Sequence, residues 1–344
     1  MKIRAAVVGA GSFGRNHVRV IAGLPDVELV AVVDSDLARA GQLAREYGST
    51  AFASIDGLAA ALDAAIVATP TVTHEEVAAQ LLESGIDVLV EKPIAQSSAA
   101  GERLARLARD RGRILQAGHL ERFNPAVAAL ESALTIPLFF EVHRLSVFTP
   151  RSLDIDVVLD LMIHDLDIVL TFAREFPVEI RAAGISVLSP KVDIANVRLS
   201  FPSGCIANLT ASRVSTEQVR KLRLFQPGEY ISLDYQRQDA VRLAIRKNKP
   251  ISNRGEFVLQ NAPSLRQEPA EIGFESQIRP EHLRIERAEP LALELAAFFQ
   301  AVRARTQPRV DAFQAVEALR LAEAILVKIE EHTALVAETI RFRS

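Results

Sequence analysis

Residues 5–18 read AAVVGAGSFGRNHV, an apolar run that passes through a glycine-rich turn into a stretch that favours helix. The turn contains a G-x-G-x-x-G pattern at Gly9, Gly11 and Gly14. In a strand–turn–helix unit, the first glycine permits the tight turn, the second lets a pyrophosphate approach the backbone, and the third lets the helix pack closely. The helix then begins at Ser12 and Phe13, where free amides face bound phosphate. We therefore predict a dinucleotide site at this turn.

A carboxylate at the end of the second expected strand bears on which dinucleotide binds. The run Val27–Val33 leads into Asp34, which comes shortly after the glycine-rich turn in the expected βαβ unit. A carboxylate there accepts hydrogen bonds from the adenosine ribose hydroxyls and repels the 2′-phosphate of NADP. The pattern predicts NAD as the cofactor. The alternative is a glycine turn without a ligand, with Asp34 capping the next helix.

The first 120 residues alternate short apolar runs with alanine-rich helical segments. Strands are expected over residues 3–8, 27–33, 64–68, 87–90 and 113–117. Helix ends are indicated by Gly48, Gly85 and Gly112, and by the capping-box pattern of Thr73 and Glu76. Because the apolar residues of each run are continuous, the strands are expected to be buried on both faces. This alternation predicts a parallel, doubly wound sheet, and we assign residues 1–120 to a Rossmann domain.

The pattern changes after Asn124 and Pro125, which suit the N-cap and the first turn of a helix. The expected elements are a helix over 156–172, strand pairs at 194–211 and 222–234, and closing helices over 291–305 and 311–333. Some of these strands alternate apolar and polar residues, which is typical of a sheet with one free face. We therefore predict that residues 121–344 form an α/β domain on an open, largely antiparallel mixed sheet. The polar stretch 248–290 gives no indication of its role.

The composition narrows the classes of protein and partner. The 344 residues are 49% hydrophobic and 24% charged, with a formal net charge of −3. This is globular composition, and no basic block indicates a nucleic-acid partner. A single cysteine, Cys205, can form neither an internal disulfide nor a Cys-rich zinc site, so we expect a reducing cytoplasm and no metal. No apolar run approaches the roughly 18 residues of a membrane span, so we expect no membrane partner.

Two groups of residues are candidates for chemistry. Lys92 ends the fourth expected strand, on the side where parallel sheets bind ligands, although most lysines simply reach solvent. Asp160 and His164 lie one helical turn apart, with Asp167 a further turn along the same stripe. A histidine beside a carboxylate is a plausible general base, because the acid raises its basicity and orients the ring. Such pairs are also common on solvated helix faces.

Oxidation of a secondary alcohol by NAD would require Lys92 and His164 to lie close together. The reaction removes a hydroxyl proton and passes a hydride from the same carbon to an oriented nicotinamide. His164 fits the role of the base, and Lys92 can stabilise the developing alkoxide or relay the proton.

Taken together, the motifs resemble those of the Gfo/Idh/MocA family of sugar and inositol dehydrogenases over nearly the whole chain. The resemblance is carried by the glycine loop with His17, the turn Ala68-Thr69-Pro70-Thr71 with His74, Glu91-Lys92-Pro93, and Asp160-x-x-x-His164. The family implies a Rossmann domain joined to a larger open-sheet domain through which copies associate. A homo-oligomer, a dimer or a tetramer, is therefore expected.

The same resemblance implies roles for individual residues. It makes Lys92, Asp160 and His164 the catalytic group, with the last two also contacting substrate. It places Thr69, His74 and Glu91 on the nicotinamide side of the cofactor, and Pro70 and Lys92 are also expected to contact the cofactor.

Three segments, 118–125, 160–165 and 211–213, are similar to the branch of this family that oxidises the C3 hydroxyl of UDP-N-acetylglucosamine. That branch makes a 3-keto sugar nucleotide, which an aminotransferase converts to a 3-amino sugar for the lipid A of lipopolysaccharide. A UDP sugar needs donors for its diphosphate, and the second domain offers Arg144, Arg151, Arg213 and Arg220. Arg122 and Asn124 are candidates for contact with the sugar or the nicotinamide.

Two alternatives stay open at this point. The same residues could oxidise a free sugar or an inositol, or the fold could serve as an NAD-binding sensor without turnover. The sequence decides neither the exact substrate, nor the direction of the reaction, nor the size of the oligomer.

Overall fold

A computed structural model describes residues 1–149, 155–245 and 278–343 of the chain. Its first sheet contains six strands: β1 (Ile3–Val8), β2 (Val27–Val33), β3 (Thr50–Phe52), β4 (Ala64–Val67), β5 (Asp87–Glu91) and β6 (Leu115–Gly118). Their order is β3-β2-β1-β4-β5-β6, and all neighbouring pairs are parallel. This confirms the predicted Rossmann fold. The edge strand β3 was not predicted, because a run of three residues carries no usable periodicity.

Four helices cover the two faces of this sheet: α1 (Ser12–Ala22), α2 (Leu37–Tyr47), α3 (His74–Glu83) and α4 (Ser98–Asp110). The first two share a hydrophobic core on one face, and the other two share a core on the opposite face. The capping box expected at α3 is not formed. Thr73 has helical backbone angles, and its hydroxyl lies within hydrogen-bond distance of Thr69 Oγ1 and of the Pro70 carbonyl oxygen. Thr73 therefore stabilises the turn before α3 rather than the first amides of the helix.

The strand order reverses at β1, because β2 and β4 lie on either side of it. In doubly wound sheets, ligands bind at this point, beyond the carboxyl ends of the strands. Gly9 follows β1 there, Asp34 follows β2, and Lys92 follows β5. The fold thus brings three of the predicted site residues to one edge of the sheet.

The second sheet has eight strands in the order β14-β13-β12-β11-β7-β10-β9-β8. They are β7 (Phe139–Val147), β8 (Glu179–Ile185), β9 (Ile194–Ser200), β10 (Ile206–Ser215), β11 (Val219–Gln226), β12 (Glu229–Asp234), β13 (Asp239–Ile245) and β14 (Ile278–His282). Strands β7 and β10 pair in parallel, and the other neighbouring pairs are antiparallel. This confirms the predicted mixed, largely antiparallel sheet.

The helices of this half include α5 (Pro125–Ala133) and a divided version of the helix expected over 156–172. A π turn, Val158–Met162, precedes α6 (Ile163–Ala173), and the Ile163 amide bonds to the Val158 carbonyl five residues back. A π turn is wider than an α-helical turn. Residues before and after it are therefore displaced around the axis relative to a continuous α-helix.

Two C-terminal helices, α7 (Pro290–Ala304) and α8 (Ala312–Arg343), connect the two sheets. Phe298 of α7 lies in the core that contains β1 and α1. Helix α8 gives Leu319 to a core of the first sheet, and Ile325 and Ile329 to the core of the second. The two halves thus share packing, and a boundary at residue 120 stays a proposal. None of the described helices combines the length and apolar character needed to cross a membrane.

Candidate active site

A cavity of about 630 Å³ lies along the glycine-rich turn. Its lining includes seven of the residues predicted to bind the cofactor, namely Gly9, Gly11, Ser12, Phe13, Asp34, Thr69 and Pro70. A Cβ built on Gly11 would have no atom within 4 Å, so this part of the turn has open space beside it. A Cβ on Gly14 would instead lie 1.7 Å from the Gly9 carbonyl oxygen, which only glycine tolerates. The volume and the helix N-terminus fit a dinucleotide and its pyrophosphate.

The Asp34 carboxylate lines this cavity and also holds the turn in place. Its Oδ2 accepts a hydrogen bond of 2.7 Å from the Ala10 amide, and its Oδ1 accepts one of 2.8 Å from the Asp36 amide. Arg39 lies beside it, with 3.8 Å between Nη1 and Asp34 Oδ2. Asp34 therefore combines the predicted contact with the ribose with a structural role in the glycine-rich turn.

His74 joins the turns that follow β4 and β5. Its Nδ1 lies 2.9 Å from the Pro93 carbonyl oxygen, and its Nε2 lies 2.9 Å from the Thr69 carbonyl oxygen. Burial lowers the pKa of His74, although both carbonyls oppose this effect. A neutral ring can donate to only one of the two oxygens at a time. In this arrangement His74 braces the two turns on either side of the cleft.

Glu91 forms a buried pair with His17 of α1. The atoms His17 Nε2 and Glu91 Oε1 are 2.7 Å apart. Burial by itself opposes the charge of Glu91, but the bond to His17 and the charges of His17 and Lys92 hold its pKa below the usual value. Glu294 of α7 is also fully buried, and burial together with the charge of Glu91 raises its pKa well above the usual value. Glu91 is therefore a carboxylate next to Lys92, and Glu294, whose raised pKa favours the neutral form, lies close to Glu91.

Lys92 extends from the end of β5 to the π turn of the second half. Its Nζ donates a hydrogen bond of 2.6 Å to the main-chain carbonyl of Asp160 and lies 3.5 Å from Asp160 Oδ1. Burial lowers the pKa of Lys92, whereas the carboxylates of Asp160 and Glu91 oppose this effect. The ammonium group is therefore held in place and gives up its proton more readily than an exposed lysine does.

His164 lies at the start of α6 in strongly positive surroundings. Its Nδ1 is buried and has no hydrogen-bond partner among the described residues. Burial, together with the charges of Lys92 and Arg144, lowers the pKa of His164 well below 6.5. The imidazole is therefore neutral at physiological pH and able to accept a proton. His119 contacts it edge to face, with ring centroids 6.2 Å apart.

The expectation that Asp160 raises the basicity of His164 is wrong. Asp160 forms an ion pair with Lys92, and the net shift of the pKa of His164 is downward. Asp167, expected on the same stripe, is buried and forms an ion pair of 3.4 Å with Arg122. The sequence argument assumed a continuous α-helix, whereas the π turn separates Asp160 from the residues of α6.

Arg144 is fully engaged by protein carboxylates. Its guanidinium donates to both oxygens of Asp165, at 2.6 and 2.9 Å, and to Glu121 Oε1 at 3.0 Å. The side chain is 3% exposed and also lies over the Tyr235 ring. We therefore replace its assignment to the substrate diphosphate with a structural one.

Other predicted substrate contacts also have protein partners. Arg122 donates to Thr171 and to the Arg309 carbonyl. Asn124 caps α5 and donates to Glu121 at 3.1 Å. These two side chains are buried and bonded to protein groups, so we replace their assignment to the sugar or the nicotinamide with a structural one.

Arg213, another of the predicted arginines, is buried beside Asp193, with 3.2 Å between its Nε and Asp193 Oδ1. It also donates to the carbonyls of Ile155 and Val192. Arg213 thus ties two loops together rather than offering a free guanidinium. Arg151, also predicted to contact substrate, lies outside the described residues.

Several residues of the site carried no sequence signal that identified them. His119, Glu121 and Asp165 are buried polar groups whose partners come from elements far apart in the chain. Arg220 was noted only as one of several arginines. Their positions depend on which face of a strand or helix each occupies, and a single sequence does not specify the partner element.

Comparison with known proteins connects this site to a family. Residues 3–119 match a family model described as an oxidoreductase family with an NAD-binding Rossmann fold, and residues 139–225 match the GFO/IDH/MocA C-terminal domain. The UDP-N-acetylglucosamine 3-dehydrogenase of Acidithiobacillus ferrooxidans is 33% identical over 329 residues, covering 95% of this chain and 97% of that protein. An inositol 2-dehydrogenase of Rhizobium meliloti is 28% identical over 233 residues, 63% of this chain and 70% of that protein.

Solved structures agree with these sequence matches. A structure of the UDP-N-acetylglucosamine 3-dehydrogenase from A. ferrooxidans superposes with a TM-score of 0.85 at 32% identity, covering 96% of this chain and 99% of that chain. A myo-inositol dehydrogenase from Corynebacterium glutamicum superposes with a TM-score of 0.74 at 24% identity, over 96% and 97% of the two chains, which shows a common fold.

Proposed function

Since the chain belongs to the Gfo/Idh/MocA family and is an NAD-dependent dehydrogenase of CH–OH groups, we propose that it oxidises the C3 hydroxyl of UDP-N-acetylglucosamine. The observation that carries this proposal is the contact of Asp160 with Lys92, which follows β5 at the ligand-binding edge of the first sheet, beside a neutral His164. The product is the 3-keto sugar nucleotide.

Each of the three side chains has a defined task in this proposal. The neutral imidazole of His164 takes the hydroxyl proton of the substrate. The ammonium group of Lys92 donates a hydrogen bond to the oxygen as negative charge develops on it. Asp160 holds Lys92 in place through its main-chain carbonyl and its carboxylate.

The first half of the chain supplies the cofactor site. When bound, NAD provides the acceptor for the hydride that leaves C3. The glycine-rich turn and the start of α1 bind its pyrophosphate, and Asp34 binds the adenosine ribose. Thr69, Pro70 and His74 shape the opposite side, with Glu91 and Lys92 at the reacting end. These residues orient the cofactor and exclude water from the site of transfer.

The choice of substrate is supported by the A. ferrooxidans dehydrogenase, which matches along nearly the whole chain in both sequence and structure. The inositol dehydrogenases match a shorter part of the chain in sequence, so a free sugar or an inositol is the second candidate. With the family established, the alternative of a sensor without turnover is set aside.

We further propose the cellular setting that this substrate implies. An aminotransferase that acts on the ketone would give the 3-amino sugar of lipid A, a part of lipopolysaccharide biosynthesis. Such a pathway would place the enzyme in the cytoplasm, where it would work as a homo-oligomer, a dimer or a tetramer, associated through the free face of the second sheet.

The test is a panel of alcohols at a fixed NAD concentration, with NADH formation followed by its absorbance. We expect turnover of UDP-N-acetylglucosamine and at most weak turnover of N-acetylglucosamine, glucose and myo-inositol. Product analysis by mass spectrometry should show the loss of two hydrogen atoms from the sugar. Turnover of myo-inositol without turnover of the UDP sugar would contradict the proposal and support the second candidate, oxidation of an inositol.

A further inference from the structure

Strand β11 carries an arginine that the proposed chemistry does not use. Arg220 pairs directly with Arg144 in the register of β11 and β7. Side chains alternate along a strand, so Arg220 shares a face with Leu222 and Leu224, which lie in the core beneath α6. Arg223 lies on the opposite face, where it contacts His143. Arg220 therefore lies on the face of the second sheet that packs against α6.

The two neighbouring guanidinium groups differ in their partners. Asp165 and Glu121 both bind Arg144, which leaves neither carboxylate bonded to Arg220. Arg220 is half-buried, and its Nε is shielded from solvent without a hydrogen-bond partner among the described residues. No ion pair in the described part of the chain involves it. A shielded guanidinium N–H without an acceptor is costly, and an anion that reached this group would supply the missing acceptor.

Arg220 also lies close to the proposed reaction centre. Its positive charge contributes, after burial and the charges of Lys92, Arg144 and His119, to the lowered pKa of His164. Its own pKa is lowered by burial and by the charge of Arg144, whereas the charges of Glu121 and Asp165 oppose this effect. An arginine remains protonated at physiological pH despite such shifts. Arg220 is thus a cation that acts on His164 and forms no direct ion pair with a carboxylate of the described residues.

We propose that Arg220 binds the diphosphate of the sugar-nucleotide substrate, with its planar donor fork directed at one phosphate group. The inference rests on the proposed function for the identity of the anion. Arginine binds phosphate through two parallel N–H···O bonds, which fixes orientation as well as charge. A phosphate held on β11 would orient the attached sugar toward His164 and Lys92. Uncharged sugars and inositols lack the group that this residue recognises.

Calorimetry with UDP as the probe tests the site directly. NAD-loaded wild type is compared with Arg220→Ala, Arg220→Lys and the control Arg223→Ala, which removes an arginine from the other face of the same strand. Loss of a charge-assisted bidentate contact should weaken UDP binding by about tenfold to a hundredfold in Arg220→Ala. Arg220→Lys keeps the positive charge but loses the two parallel donors of the guanidinium, so its affinity for UDP should lie between that of wild type and that of Arg220→Ala. Arg223→Ala should bind UDP like wild type.

Three outcomes would overturn the inference. These are the absence of UDP binding to the wild type, unchanged affinity in Arg220→Ala, and an equal loss in Arg223→Ala. If Arg220→Ala no longer binds NAD and has therefore lost its fold, Arg220→Lys decides. Wild-type affinity for UDP in that variant would contradict the bidentate contact.

Steady-state kinetics separate this inference from the proposed function. In Arg220→Ala the KM for UDP-N-acetylglucosamine should rise by about tenfold or more, while the KM for NAD stays unchanged. Turnover of the UDP sugar with an unchanged KM would leave the function standing and remove Arg220 from the site. If UDP binding depends on Arg220 but the UDP sugar is not turned over, the assignment of Arg220 would stand and the proposed function would be wrong.

Discussion

Lys92 and His164 are both buried, and the charge of Lys92 acts on His164. Burial lowers the pKa of each, and the mutual repulsion of their positive forms lowers the pKa of His164 further. The working state of the pair therefore has a neutral imidazole beside a protonated amine. Asp160 stabilises that state because its carboxylate favours the charged form of Lys92.

We expect a bell-shaped pH dependence of kcat/KM. The acid limb reports protonation of His164 and should lie below pH 6.5, because its pKa is lowered from that value. The alkaline limb reports deprotonation of Lys92 and should lie below pH 10.5 for the same reason. Initial rates of NADH formation across the pH range measure both limbs. An acid limb above pH 6.5 would contradict the proposed surroundings of His164.

Substitution of His164 tests its proposed role as the base. His164→Asn keeps a polar side chain but removes the base, so kcat should fall by about 10²–10⁴-fold, and the acid limb should disappear. NAD binding, measured by calorimetry, should be unchanged in this variant. A variant that retains wild-type kcat would show that another group takes the proton.

At the scale of the element, the β1–turn–α1 unit is the most constrained part of the cofactor site. Gly9 has a φ of 102°, and its carbonyl oxygen occupies the space where any side chain at position 14 would begin. Gly11 has free space beside it, and that space belongs to the proposed cofactor cleft. Glycine is therefore required at position 14 for the packing of α1 against β1, and at position 11 to leave space for the proposed cofactor.

A pair of substitutions distinguishes these reasons. Gly14→Ala should lower the thermal unfolding temperature and abolish NAD binding, because α1 must move away from β1. Gly11→Ala should leave the unfolding temperature of the NAD-free protein nearly unchanged, yet weaken NAD binding by about tenfold or more, since its methyl group meets the pyrophosphate. Differential scanning fluorimetry and calorimetry measure the two quantities. Equal loss of stability in both variants would refute the distinction.

The sequence predicted these elements well where one local property determines them. The bounds of β1 and β2 were predicted correctly because a continuous apolar run ends at a glycine or a carboxylate. The parallel topology followed from the alternation of strands and helices. By contrast, the division of the expected helix at Val158–Met162 has no simple sequence signature, so the sequence argument placed Asp160 and His164 on one continuous α-helix.

The arginines show the second limit of sequence reasoning. Four of them were proposed as phosphate ligands because of their charge alone. Whether a guanidinium is free depends on acids from other elements, such as Asp165 of α6 for Arg144 of β7. That pairing is set by the tertiary structure and by no local pattern. Lys92 was predicted at the ligand-binding edge because it follows a parallel strand, and the ends of such strands share one edge; its contact with Asp160 of the π turn was not predictable in this way.

For the whole molecule, helix α8 makes the two sheets dependent on each other. Its apolar residues belong to the cores of both sheets, and α4 and α6 both contact it. Local opening of one half therefore removes packing from the other. The chain should unfold as one cooperative unit.

Binding of NAD tests this coupling. At about a hundred times its Kd, a ligand that binds only the native state adds about 2.7 kcal/mol to the free energy of unfolding. Hydrogen exchange should then slow not only in β1 and β4 but also in β9 and β10, which do not line the cofactor cavity. Mass spectrometry of exchanged peptides with and without NAD measures this. Protection confined to the first sheet would mean that the halves open independently.

The return of α7 to the first sheet has a consequence for protein engineering. A chimaera that exchanges substrate preference between relatives cannot be made with a single crossover after β6. The donor segment would have to end before α7, so that Phe298 and its neighbours stay with the Rossmann half against which they pack. The two crossovers would leave α8 as a seam in which residues from both parents must fit together.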